Sequence, residues 1–221
     1  MANQNAGDRA YGLTCLCPIQ NGAPRQNAED ATPEPSFAAG IRDRIQELEI
    51  HEKSPFAKVP NTYLCRLYVL HDVFYEGKPA VYEHLKSKYL VFSSNFHGTL
   101  EPYLRDMWNA ISDEIKDIWK GCVAFDSVNS ADAWIDYIKN CQVETTLFFN
   151  GSNDESLAEQ LKALYLKQEF SDFVFENQGK SAEELQKAFG KFVKVTEPKN
   201  LAGPTWRAGA SRLDDVVINN N

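Results

Sequence analysis

Nowhere in this 221-residue chain does an apolar run approach 18 residues, so no helix that spans a membrane is expected. Residues 1–9 hold neither a charged leader nor the apolar segment of a secretory signal. Basic residues are scarce: 23 Lys and Arg against 31 Asp and Glu leave a net charge of −8 and a pI near 5.1. No basic run offsets this, which argues against nucleic acid as a partner, because that affinity rests on clustered cations displacing counterions. The five cysteines, Cys15, Cys17, Cys65, Cys122 and Cys141, are odd in number and sit mostly inside apolar runs, the pattern of buried thiols and not of a disulfide framework. Cys15 and Cys17 would point to one face of a strand, but neighbours two apart do not close an easy disulfide. A metal pair there would need a second pair elsewhere, which the spacing does not supply. Also missing are a His-Glu-x-x-His pair, a Gly-rich phosphate loop and a Gly-x-Ser-x-Gly elbow. The expectation is a soluble, cytoplasmic protein with no metal site and no contact with membrane or nucleic acid.

What is present is a periodic order. With 43% hydrophobic residues the chain can build one substantial core. Residues 1–10 read as a flexible arm. A first strand is expected over Tyr11 to Pro18, then a proline-rich loop, then an amphipathic helix through Phe37, Ile41, Ile45 and Leu48 behind Ser36 as N-cap. A long second strand, Thr62 to Tyr75, turns at Glu76 to Pro79, and Val81 to Lys86 forms a short helical turn. A third strand, Tyr89 to Phe96, pairs back on the second. Thr99 caps a long helix striped by Leu104, Trp108, Ile111, Ile115, Ile118 and Trp119. A short helix follows Ser130, and Gln142 to Phe149 is expected as a fourth strand. Capping boxes at Ser152 with Glu155 and at Ser181 with Glu184 open two C-terminal helices, and after Pro198 the chain reads as a tail anchored only by Trp206.

That order is βαββαβ, the ferredoxin-like α+β plan of a four-stranded antiparallel sheet, with extra C-terminal helices. A single domain is expected over residues 11–195, with a tail over 196–221. Both crossover helices would cover one sheet face. The other face would be covered by a second subunit, giving a homodimer, or by the chain's own C-terminal helices.

In that plan the far ends of the second and third strands meet, bringing Tyr63 and Arg66 towards Asn95 and His97. Tyr63, Asn95 and His97 share one parity and Arg66 the other. His97 lies in a Gly-bearing turn before a helix, where a histidine beside a phenol can shuttle protons or hold a carbonyl oxygen. His71 and Asp72, adjacent on a strand, face opposite ways and form no dyad. His51 and His84 read as surface residues, and the acids of the long helix, Glu101 among them, as a solvated face.

The segments Ser54-Pro55-Phe56-Ala57 to Thr62-Tyr63-Leu64-Cys65-Arg66 and Phe92-Ser93-Ser94-Asn95-Phe96-His97-Gly98 carry a resemblance. Over about residues 11–175 the chain resembles the dimeric α+β barrel superfamily, which includes haem enzymes and small cofactor-free monooxygenases. It also resembles poorly characterised domains with Thr-His-Phe-Ala-Arg and Asn-Phe-Asp-Gly motifs. Tyr63 stands where those domains have His, and His97 where they have Asp. The Gly-x-x-Asp-Gly motif of dye-decolorising peroxidases is absent, Ser94 and His97 occupying its Gly and Asp places.

The resemblance implies a small-molecule enzyme acting on an apolar or aromatic substrate by proton transfer or oxidation. His97 and Tyr63 would be catalytic, Asn95 would orient the substrate, and Arg66 would hold an anionic group. The alternative is a non-catalytic module that binds a ligand or another protein through its open sheet face. No cofactor is expected in the leading reading. Haem is a third reading, with His71, His84 or His97 as axial ligand.

Overall fold

The computed structural model describes residues 5–7, 9–24, 35–73, 77–79, 84–151 and 155–210. The chain divides into two compact units, one of residues 1–49 and 54–154, the other of residues 50–53 and 155–221.

The first unit is built on three nine-residue strands, β1 (Ala10–Pro18), β2 (Thr62–Leu70) and β3 (Tyr89–His97), antiparallel in the order β1-β3-β2. A two-residue strand, Ala6–Gly7, adds to the outer edge of β1. Register places Tyr11, Leu13, Cys15 and Cys17 opposite Phe96, Ser94, Phe92 and Leu90, and all eight are buried. Residues directly opposite share a face, so this is the core side of the sheet. On β2, Cys65, Leu67 and Val69 pack against the same core.

Three helices supply most of the rest of that core, with Ile19, Val59, Cys122, Phe125 and Val128 from the connections. In α1 (Phe37–Gln46) the Ser36 side chain accepts the Ala39 N–H, as expected of an N-cap, and Ala38 and Ile41 are buried. Helix α2 (Leu100–Trp119) buries Tyr103, Leu104, Met107, Ile111, Ile115, Ile118 and Trp119, its helical torsions interrupted once at Ile111. Helix α3 (Ala131–Cys141), capped by Ser130, buries Trp134, Ile135, Tyr137 and Ile138. Trp134 meets Trp119 edge-on at 5.1 Å between ring centres, and Phe125 and Tyr137 complete an aromatic knot between α2 and α3. Each fully buried large side chain contributes on the order of 1.5–3 kcal/mol of transfer free energy.

The four-stranded ferredoxin-like sheet expected from the element order is not formed. Gln142 to Phe149 makes only one bridge, Gln142 opposite Cys15, followed by the Val143 N–H donating to the Thr14 carbonyl at 2.8 Å. The reason is competition for the edge of β1. Ala6–Gly7 already pairs with Tyr11 and Ala10, the Asn5 carbonyl accepts the Gly12 N–H, and Cys122 bridges Ile19 at the other end. Asn5 Oδ1 then accepts the Thr145 N–H, diverting the segment from the ladder. Leu147 and Phe149, which carried the strand pattern, are 81% and 83% exposed. Phe148 instead lies over Gly12, where a Cβ would meet its ring at 2.7 Å.

Other boundaries also move. β2 ends at Leu70, not Tyr75, because the Asp72 carboxylate turns the chain, accepting the Val73 and Leu85 N–H groups at 2.8 and 2.9 Å. Residues 74–76 and 80–83, which fall in the expected end of the second strand, its turn and the helical turn after it, lie outside the described residues. Thr99 precedes α2 but makes no side-chain cap. The capping box expected at Ser152, a residue outside those described, is formed four residues later by Ser156 and Glu159, where the same Ser-x-x-Glu spacing recurs.

The second unit is a helical hairpin. α4 (Leu157–Glu176) and α5 (Ala182–Thr196), the latter with the expected Ser181 and Glu184 box, interlock through Phe170, Phe173, Phe189 and Phe192. Lys162, 2% exposed, donates to the Thr196 carbonyl at 2.6 Å and the Pro204 carbonyl at 2.7 Å. It thereby ties part of the segment read as a tail to α4. Gly209 has φ +76°, and a Cβ there would collide with the His51 carbonyl at 2.6 Å, so glycine lets residues 50–53 approach closely.

Candidate functional site

The site begins with a bulge. Thr62 pairs with Phe96 and Leu64 with Asn95, so two residues of β2 oppose one of β3 and Tyr63 is the extra residue. On one side the Thr62 hydroxyl stays with the core, 3.1 Å from the Tyr103 hydroxyl. On the other, the Tyr63 hydroxyl reaches His97 Nδ1 at 3.2 Å. His97 is the last residue of β3, opposite Ala10, and its N–H donates to the Asn61 carbonyl at 3.0 Å. The bulge also resets parity beyond it. Arg66 pairs with Ser93 and so shares a face with Asn95, against the expectation that it lies on the opposite side.

After His97 the chain turns through Gly98, φ +99°, whose N–H donates to the Arg9 carbonyl at 2.7 Å, and enters α2. This brings the strand end, the first turn of α2 and the end of α3 around a cleft of about 730 Å³, lined among others by Arg9, Tyr11, His97, Glu101, Lys139 and Gln142. Lys139 Nζ donates to Glu101 Oε1 at 2.8 Å, which holds the Glu101 carboxyl below its usual range and raises the Lys139 ammonium. Gln142 Nε2 donates to the Tyr11 hydroxyl at 2.7 Å. The first-turn amides of a helix have no intrahelical partner, and they carry the positive end of its dipole.

Of the four residues singled out in the sequence, the structure joins Tyr63 to His97 and sets His97 in the cleft wall. Asn95 and Arg66 are not among the residues that line it. Arg9, Tyr11, Lys139 and Gln142 escaped sequence reading because they come from the arm, β1 and α3, and no spacing links those segments. Glu101 had been read only as part of a solvated helix face.

Chemically, His97 has two distinct nitrogens. When the Tyr63 hydroxyl donates to Nδ1, Nε2 carries the ring proton; when Nδ1 donates to the phenol oxygen, Nε2 is a base. Tyr63 is therefore placed to set the tautomer. His71 and His84 are exposed, and His84 Nδ1 lies 2.8 Å from Asp72 Oδ2, while the wall around His97 carries Arg9, Glu101 and Lys139 beside Tyr11, Leu100 and Pro102.

Comparison with protein-family models, with curated proteins and with solved structures found no match. No helix among the described residues is long and apolar enough to cross a membrane.

Proposed function

We propose that the cleft beside His97 binds a small apolar or aromatic molecule carrying an acidic group, and that His97 transfers a proton on it, with Tyr63 as the positioning residue. The observation that carries this reading is the contact of His97 Nδ1 with the Tyr63 hydroxyl, made by a histidine that lines a cleft. Lys139 and the amides at the start of α2 stand in the wall beside Glu101. Anions are favoured there for that reason. Tyr11, Leu100 and Pro102 supply the apolar part of the wall.

The test is an NMR titration of the full chain with benzoate, salicylate and phenylacetate, following the His97 ring. A saturable shift of the ring signals is expected with at least one of them. Lys139→Met should weaken that binding about fivefold, the scale of an exposed charge contact. Tyr63→Phe should leave binding in place but change the tautomer signature of the ring nitrogens. Saturable binding that leaves His97 unmoved, or no binding by any of the three, would overturn the reading.

A further inference from the structure

The second unit leaves one of its faces open. Side chains three and four apart share a side of a helix, so Phe170 and Val174 of α4, and Leu185, Phe189 and Val193 of α5, form two adjoining apolar stripes, which Leu164 flanks. All six are between 39% and 57% exposed. Four of them, Phe170, Val174, Leu185 and Phe189, line a groove of about 600 Å³ between the helices. At about 150–200 Å² for a whole side chain of this size, the six leave on the order of 500 Å² of apolar surface in water. A patch of that size is in the upper range for a monomer and marks an interaction site. The charges of the hairpin lie elsewhere. No ionisable side chain lines the groove, and its polar positions are the amides Asn177, Gln178 and Gln186. The groove along the other side of the two helices is lined by seven charged side chains, Glu169 and Asp172 of α4 with Lys187 and Lys191 of α5 among them.

We infer that this face is the interface of a homodimer, in which two copies of the α4 and α5 hairpin close into a four-helix bundle about a two-fold axis. The charge pattern selects a second copy over other occupants. A two-fold contact sets a surface patch against itself, so a charged groove would meet its own sign, whereas side-chain amides both donate and accept and so pair with their own kind. A membrane surface calls for Lys or Arg around the apolar face, and a charged peptide for a lining of opposite sign; the groove offers neither. The area fits as well. A standard interface takes about 800 Å² from each partner, and in homodimers about 65% of it is apolar, which is close to the patch found here. The twenty residues of α4 span about 30 Å, and two helices side by side are about 20 Å wide, so one hairpin covers about 600 Å² of its twin. Counted over both copies, that exceeds the roughly 1,000 Å² that a specific interface needs. A two-helix hairpin is also a single layer that buries only its seam, and a second hairpin supplies the layer it lacks.

The test is sedimentation velocity of the full chain from about 1 to about 100 µM, where a dimer must appear by mass action. The expected species at the upper end has twice the 25.0 kDa of the chain and persists when salt is raised, because its contacts are apolar. Val174→Glu and Phe189→Glu, at half-exposed positions, should each weaken the dimer at least about 30-fold, the scale of one lost anchor side chain, with helix content by circular dichroism unchanged. Lys187→Glu, on the charged side, should leave it intact. In the wild-type protein, hydroxyl-radical footprinting should show Phe170 and Phe189 less reactive at the higher concentration. A wild-type chain that is monomeric at about 100 µM, or one that stays monomeric but floats with phosphatidylcholine vesicles, would overturn the inference. So would a dimer in which Phe170 and Phe189 stay reactive, or one that survives both glutamate variants and is lost in Lys187→Glu.

Discussion

Removing the hydroxyl of Tyr103 should destabilise the first unit by far more than a lost surface oxygen would. Tyr103 is 3% exposed, and its ring stacks on Phe96 at 3.6 Å between centres while Phe96 stacks on Tyr11 at 5.2 Å. Its hydroxyl meets Ser94 Oγ at 2.8 Å and Thr62 Oγ1 at 3.1 Å. Tyr103→Phe keeps the ring and its apolar burial, so the transfer and cavity contributions are close to zero. What it leaves is the Ser94 hydroxyl, 1% exposed, without that partner, and Thr62 with one bond fewer. An orphaned buried hydroxyl costs about 1–3 kcal/mol, and that is the expected loss in urea unfolding of the full chain followed by Trp fluorescence. Ser94→Ala removes the orphan, so the Ser94→Ala, Tyr103→Phe double variant should lose less than the sum of the single losses, by about 1 kcal/mol. The same hydroxyl pair braces the residue before the bulge that presents Tyr63, so the His97 ring signals should shift in Tyr103→Phe. A Tyr103→Phe protein within about 0.5 kcal/mol of wild type, or strictly additive losses, would refute the buried network.

Three further outcomes are expected. Lys162→Ala should destabilise the helical hairpin by about 1.5–3 kcal/mol, since it leaves the buried Thr196 carbonyl and the half-buried Pro204 carbonyl without their charged donor, and proteolysis should then open the segment around Pro204 first. Ser156→Ala breaks the capping box of α4 and should cost about 1 kcal/mol, read as a lower helix melting midpoint by circular dichroism. The Leu85 N–H, then His84 and the Val73 N–H, hold the Asp72 carboxyl down to about 2 from an ordinary 3.8. Because the folded value is depressed, the local stability is present above the ordinary value and is lost as pH falls through about 2. Amide shifts of Val73 and Leu85 should therefore stay constant down to pH 4 and move only below it; a midpoint near the ordinary value would refute the contact.

Much of the local structure was legible from spacing. Ser36, Ser130 and Ser181 precede apolar 3.6-residue repeats and do cap α1, α3 and α5. The alternation from Tyr11 to Cys17 matches the buried face of β1. Two consecutive Ser-x-x-Glu stretches stand before α4, Ser152 to Glu155 and Ser156 to Glu159, and the second forms the box that opens the helix, while Ser152 lies outside the described residues. Meeting of Tyr63 with His97 was legible too, since it needs only a hairpin, but the side taken by Arg66 was not. One bulge residue reverses every later parity, and nothing in the letters around Tyr63 announces it.

The fourth strand shows the larger division. Gln142 to Phe149 has a strand's pattern, but a pattern does not reveal whether a free edge awaits it. The short arm around Ala6, closer in sequence to β1 and so cheaper to bring back, takes that edge first. The sequence by itself determined which segments are helical, which residues enter the core and that His97 stands at a strand-to-helix turn, because these depend on neighbours within a few residues. Only the tertiary structure decided that Arg9, Lys139 and Gln142 line one cleft with His97. Those contacts span up to about 130 residues, and their partners are chosen by packing and edge competition, which no local period encodes.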